Sequence, residues 1–331
     1  MAAMTLTNQT LPQGQPNGFE EIKKYLTQIT DEIAKADVLT SYMTPNPALF
    51  QASKEAGVFS VPTLSISGLG NYSKSKGSPL GAVSSEFTDY RLRFDRARSF
   101  VLDGVDMMQQ NGLIRGTAVL SEFMRTSVVP EIDLTRISTC ADTAIQAQNT
   151  KEITPSKSSF LSEIISAVNM TKKNLKLKTT AGVKIHINDK YMDILELSSE
   201  YTRTKGIDTG YRKLDTGVDM INQGEIIWTP EEYMYSAFDY MTGISDQEPT
   251  TAADVPTGGV TPASDASEIA VLVVAPGVAN GLVASETSQI FAPGTVPGII
   301  NSTWLDYRVS HDCLIMKNKV GGLYALTAPS A

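Results

Sequence analysis

Apolar residues recur at helical spacing between Gly112 and Gln148: Leu113, Leu120, Met124, Val128, Leu134, Ile137, Ala141 and Ile145 form one stripe. A helix of about 35 residues at roughly 1.5 Å each is a rod of about 50 Å, too long to bury within one small domain. Pro130, in its middle, removes an intrahelical hydrogen bond and crowds the preceding turn, so a kink or short break belongs there. The stretch reads as a spine, or as two ordinary helices separated at Pro130.

Period-two patterns flank this spine. Residues 58–67 (VFSVPTLSIS) predict a strand, and residues 84–94 (SSEFTDYRLRF), with Val83, Phe87 and Leu92 as apolar markers, predict its return. The Gly/Ser/Lys-rich segment between them makes the tip of a long hairpin whose side chains offer little to a core. Such a hairpin suits an arm lying on another subunit, held by backbone pairing and Lys/Arg contacts. Residues 95–108 join the arm to the spine. Residues 157–170 predict a helix with Phe160, Ile164, Ile165 and Val168 inward. Val183, Ile185 and Ile187 alternate with Lys184, His186 and Asn188, the pattern of a half-exposed strand. A helix over 191–201 and a strand over 218–230, around a loop at 222–224, follow. Residues 245–267, rich in Thr, Pro, Gly and Asp, read as an exposed loop. EIAVLVVA (268–275) is the most apolar run and predicts a central buried strand. Residues 277–285 read as a short helix, 303–311 and 313–317 as strands, and 318–322 as a turn into a last strand at 323–326. At the other end, residues 1–18 have little to bury. Phe19, Ile22, Leu26, Ile29 and Ile33 mark one face of a helix from 19 to about 39, which residues 44–58 break.

Composition changes this picture in two places. The net charge of −8 gives no global attraction to nucleic acid or membrane, yet the charges are segregated. Seven Lys stand between Ser156 and Lys190 against Glu163 and Asp189, while Asp239–Tyr307 holds eight acids and no Lys or Arg. These are two solvated faces, or faces of neighbouring copies that meet. Cys140 and Cys313 give neither a disulfide framework nor a metal spacing and read as buried thiols. The start of the chain lacks a basic, apolar leader and no 18-residue apolar run occurs, so a soluble, intracellularly made protein is expected.

Candidate chemistry is sparse. Gly68-x-Gly70 follows a strand, but Ser73 stands where a dinucleotide loop needs its third Gly. Asp103 and Asp106 flank Gly104 and read as a turn or helix start. Glu131, Asp133 and Arg136 have spacings suited to intrahelical ion pairs. His186 reads as a strand residue on a polar face, and His311-Asp312 has no nucleophile to serve. No catalytic, cofactor-binding or metal-ligating residue is singled out, and no enzyme is expected.

Four segments together carry a resemblance: residues 68–77 (GLGNYSKSKG), 87–106 (FTDYRLRFDRARSFVLDGVD), 122–133 (EFMRTSVVPEID) and 306–324 (DYRVSHDCLIMKNKVGGLY). In content and order they resemble the major capsid proteins of tailed bacteriophages. Asp95, Arg96, Phe100 and Asp103 fall on that family's Asp-Arg … Phe-x-x-Asp element, and residues 129–133 on its Val-Pro-Glu-Ile-Asp. The segments cover about a third of the chain; each is degenerate alone.

The resemblance implies an α+β, Hong Kong 97-type fold: an N-terminal arm (1–56), an extended hairpin or E-loop (57–94), and a peripheral segment with the spine helix (95–155). An axial domain (156–300) and C-terminal strands (301–331) complete it. It further implies pentamers and hexamers enclosing double-stranded DNA without sequence-specific binding, a portal protein, and decoration or head-completion proteins. No cofactor is implied. Residues 1–55 are too short for a built-in scaffolding extension, so a separate scaffolding protein is expected. Some members link an arm lysine to a neighbour's asparagine; Lys74 or Lys76 with Asn318 or Asn111 would be the residues here. The same fold enclosing enzyme cargo, as in encapsulins, and an α+β enzyme with a phosphate-binding loop at 68–81 are the competing readings.

Overall fold

The computed structural model describes residues 38–45, 51–52, 58–75, 77–103, 119–177, 180, 182–198, 207–208, 213–214, 220–243, 258–291 and 302–329. Its strands are β1 (Gln51–Ala52), β2 (Val58–Ile66), β3 (Val83–Arg91), β4 (Phe94–Asp103), β5 (Thr150–Glu152), β6 (Lys184–Asn188), β7 (Ile207–Asp208), β8 (Lys213–Leu214), β9 (Met220–Ile221), β10 (Gly224–Thr229), β11 (Phe238–Tyr240), β12 (Val260–Pro262), β13 (Ile269–Val274), β14 (Ala279–Phe291), β15 (Ser302–Ile315) and β16 (Leu323–Thr327). The helices are α1 (Val129–Gln146), α2 (Phe160–Leu175) and α3 (Met192–Glu196).

Two sheets frame the molecule. The larger has the order β5-β16-β13-β6-β10-β9, with β6 and β10 parallel and β13 antiparallel to β6; the smaller is antiparallel, β14-β15-β4. The expected central strand is β13, buried at all six positions. Leu272 and Val274 face α1, while Val271 and Val273 face α2, so a continuous apolar run is what a strand covered on both sides requires.

The spine is continuous. Residues 119–146 are helical throughout, and the irregularity expected at Pro130 is a π-helical turn at Met124–Val128 just before it. The proline directly follows that widened turn, and the change of register there makes room for its ring without ending the helix. The N-terminal half (Leu120, Met124, Val128, Ile132) packs on Leu305, Tyr307 and Val309 of the smaller sheet; Ile137, Cys140, Ala141 and Ala144 pack on the larger one. Both thiols are buried in that second cluster, as the sequence suggests.

Four expectations are corrected. Residues 277–285 are not a helix: β14 begins at Ala279 because its residues pair along β15 from Ala279↔Ile315 to Phe291↔Trp304. The two strands at 303–311 and 313–317 are one, β15, through Asp312. The helix over 191–201 is shorter, a 3-10 turn at Asp189–Tyr191 leading into α3. Finally, β6 is not half-exposed: Ile185, His186, Ile187 and Asn188 are all buried, with Tyr42 of residues 38–45 lying against His186 and Asn188 donating to Ile269 O. The N-terminal helix, Lys76, Asp106, Asn111 and most of the 245–267 loop lie outside the described residues; the rest of that loop contributes β12, paired to β11.

Candidate assembly surface

The hairpin predicted at 57–94 is present. β2 and β3 pair without a bulge from Val58↔Arg91 to Ile66↔Val83, a regular ladder in which Val61 is buried while Ile66, Val83 and Phe87 are exposed. At its far end a bridge joins Ser73 to Gly77, whose φ of +76° suits a residue without Cβ. Lys74 sits exposed in that turn. Because β2 leads into this hairpin, the helix N-terminus that a phosphate loop after Gly68-x-Gly70 would need is replaced by a returning strand.

Apolar residues that the monomer leaves in water are concentrated on the arm. Leu69 and Leu80 are fully exposed, and Ile66, Val83 and Phe87 are each more than half exposed. Ile66 pairs directly with Val83, so at least these two share one face, and exposed apolar side chains concentrated on a strand pair suit a contact surface.

The base of the arm is pinned by charge. Asp312, 1% exposed, accepts from the Arg93 backbone N–H and Nε at 3.0 Å and from its Nη2 at 2.8 Å, while the Cys313 N–H donates to it at 2.7 Å. Pairing with Asp312 raises the Arg93 pKa. On the opposite face of the strand, His311 stacks on Phe94, with centroids 5.8 Å apart. The pairing His311-Asp312 therefore splits across β15, and no triad can form from it. Burial pushes the imidazole down to about 4 and keeps it neutral.

The acids and base of the spine reach away from their own helix, contrary to the intrahelical pairs expected. Glu131 accepts from Arg96 Nε at 2.7 Å, and Asp133 accepts from Leu39 N, Thr40 N and Thr40 Oγ1 at 3.0, 3.0 and 2.6 Å. Arg136 Nη1 donates to Thr40 Oγ1 at 3.0 Å. Residues 38–45 thus form a strap fastened to the spine. Further along, Tyr42 Oη and His186 Nε2 share a hydrogen bond of 2.6 Å, and Gly281 N donates to Met43 O. Burial raises the carboxyl of Asp133, an effect the Thr40 and Leu39 bonds oppose, and lowers His186 to about 4. The strap was not legible in the sequence, since its only mark is a polar alternation in β6 with nothing local to satisfy it.

A cavity of about 630 Å³ lies between the spine, β4, β15 and the β11–β12 pair, with Arg96, Glu131, Tyr235 and His311 among its walls. Among the described residues no group of His, Cys, Asp and Glu could hold a metal ion. Asn318, on the 3-10 turn Lys317–Gly322, is exposed beside the hairpin base, in a cleft it shares with Val61 and Tyr90.

This arrangement recurs in solved structures. The mature capsid of bacteriophage PhiM1 superposes with a TM-score of 0.56 over 84% of this chain and 84% of that one, at 11% identity. The chain has the bacteriophage capsid fold. The capsid of cyanophage P-SCSP1u gives 0.55 over 85% and 86%, again at 11% identity, and a structure from Mycobacterium phage Che8 gives 0.53 over 87% and 90% at 12%. No family model and no curated relative matches the sequence. Among the described residues, the hairpin and its tip carry six of the large exposed apolar side chains: Ile66, Leu69, Tyr72, Leu80, Val83 and Phe87.

Proposed function

We propose that this chain is the major shell subunit of a tailed bacteriophage. Copies assemble into pentamers and hexamers, which close an icosahedral or prolate capsid around double-stranded DNA. The observation that carries this reading is the match to phage capsids over more than four fifths of both chains. The exposed arm supports it, because a surface that is costly in a monomer is stabilising once a neighbour covers it.

In this reading residues 57–94 lie on the next subunit, residues 95–155 with the C-terminal strands form the peripheral wedge, and residues 156–300 form most of the part nearest the symmetry axes. The subunit acts by geometry and is not an enzyme. A portal, a separate scaffolding protein, and decoration or head-completion proteins are its partners, and it assembles in the host cytoplasm into the virion. No described helix is long and apolar enough to cross a membrane. DNA is contained rather than wrapped, in keeping with the net charge of −8.

Negative-stain electron microscopy of the purified chain, alone and with a co-expressed scaffold candidate, tests the proposal. Closed shells or rings of five and six are expected. A compact monomer under both conditions would overturn it, and shells that enclose protein instead of DNA would move the function to a cargo compartment.

A further inference from the structure

The six-stranded sheet has a basic end and an acidic end. At one end, Lys172, Lys173 and Lys176 close α2, and the 3-10 turn Lys317–Gly322 packs against them: a Cβ on Gly321 would lie 3.2 Å from that of Asn174, and one on Gly322 would lie 2.7 Å from Leu175 Cδ1. That contact sets Lys317 and Lys319 beside the end of α2. Lys319 Nζ donates to Gly277 O at 3.1 Å. Among the described residues, none of Lys172, Lys173, Lys176 and Lys317 pairs with an acid; at this end Glu225 is taken by Lys184, and Asp142 accepts from Gln146 on α1, across the sheet.

Lysines in the last turn of α2 complement its own dipole, which accounts for the first group alone. The second group comes from a separate element and sets like charges beside them, which costs stability unless opposite charge lies outside.

The opposite end of the same strands supplies that charge. Glu152 ends β5, Asp189 and Asp193 follow β6, Glu231 and Glu232 follow β10, and Glu268 precedes β13. Lys190 bridges Glu231 and Glu268 at 3.3 and 2.9 Å, which leaves Glu152, Asp193 and Glu232 exposed and, among the described residues, without a lysine or arginine partner. The strands between the two ends are about five residues long, or roughly 17 Å at about 3.3 Å each. That exceeds the Debye length of about 8 Å at physiological salt, so the two ends act separately on whatever touches them.

We infer that the lysine ridge of one subunit docks on the acidic end of a second copy. The contact is head-to-tail, and a heterologous contact of this kind closes into a ring when its rotation permits. Complementary ends also orient the approaching subunit and disfavour head-to-head encounters. The inference rests on the shell-subunit reading and adds which ends of the subunit meet.

Charge reversal on the full chain tests it. One variant carries Lys172→Glu, Lys173→Glu and Lys317→Glu; a second carries Glu152→Lys, Asp193→Lys and Glu232→Lys; a third carries all six. Thermal melting checks that each folds, and ring or shell yield is read by sedimentation and microscopy. The first two variants should each need about tenfold more protein than the wild type to assemble. Mixing them should restore rings of six but not of five, because unlike ends must alternate, and the sixfold variant should assemble alone. Wild-type yield from either reversed variant would overturn the inference while leaving the shell reading intact. So would a lysine variant that assembles normally but retains less DNA, which would make the ridge a nucleic-acid contact. A wild type that forms no rings even with scaffold would remove the shell reading itself.

Discussion

Asp312 accepts four hydrogen bonds at the point where the arm leaves the body, three of them from Arg93. Asp312→Ala should therefore cost about 2–3 kcal/mol in urea unfolding, the range for hydrogen bonds to a charged group, with Arg93 half solvated and able to recover some of its own. Gly281 is a second sensitive position, because a Cβ there would stand 2.4 Å from Arg136 Nε. Arg136 is held by Thr40, so Gly281→Ala should lower stability by about 1–3 kcal/mol and expose residues 38–45 to protease. The two buried histidines set a pH response. Both have a folded pKa lowered to about 4, against 6.5 when unfolded. Below pH 6.5 the unfolded chain takes up protons that the folded chain refuses, so stability is complete above 6.5 and is lost as pH falls through 4. Asp133 and Glu131, raised by burial, act in the opposite sense. The melting temperature of a His186→Gln, His311→Phe double variant should accordingly fall less steeply than the wild type between pH 6.5 and 4.

At the scale of elements, the arm should separate assembly from folding. Leu69→Ser with Leu80→Ser removes apolar side chains that touch water in the monomer, so melting should be unchanged while shell yield falls sharply. A drop in melting temperature would show that the arm packs on its own subunit. The elements visible from sequence are those whose period is unambiguous: the spine stripe, the two hairpin strands, α2 and the uniformly apolar β13. Those misread are elements defined by partners far along the chain. Ala279–Val283 opens with Ala279, Asn280 and Gly281, which favour no extended state locally, and it becomes strand because β15 lies beside it. His186 and Asn188 look solvent-facing by alternation and are buried, His186 against Tyr42 of the distant strap and Asn188 donating to Ile269 O. Glu131, Asp133 and Arg136 sit at helical spacings, yet their partners lie on β4 and the strap. Spacing alone could not distinguish a local pair from a tertiary one.

For the whole molecule, the spine welds two cores into one body. Its N-terminal half belongs to the three-stranded sheet and its C-terminal half to the six-stranded one. A shared helix makes independent rotation of the two sheets costly, and a single cooperative unfolding transition by fluorescence and circular dichroism is expected. Two separate transitions would show that the π-helical turn at Met124–Val128 uncouples them.

The strap carries a consequence for the order in which the molecule is made. Thr40 bonds Asp133, 93 residues later; Tyr42 meets His186, 144 residues later; and Met43 accepts from Gly281. During synthesis these residues leave the ribosome well before Gly281, their last attachment point, emerges. The strap is made before every site that holds it. Until then the Met43 carbonyl lacks its bond from Gly281, and a growing chain stalled before Gly281 should remain cleavable next to Met43 after the spine has folded.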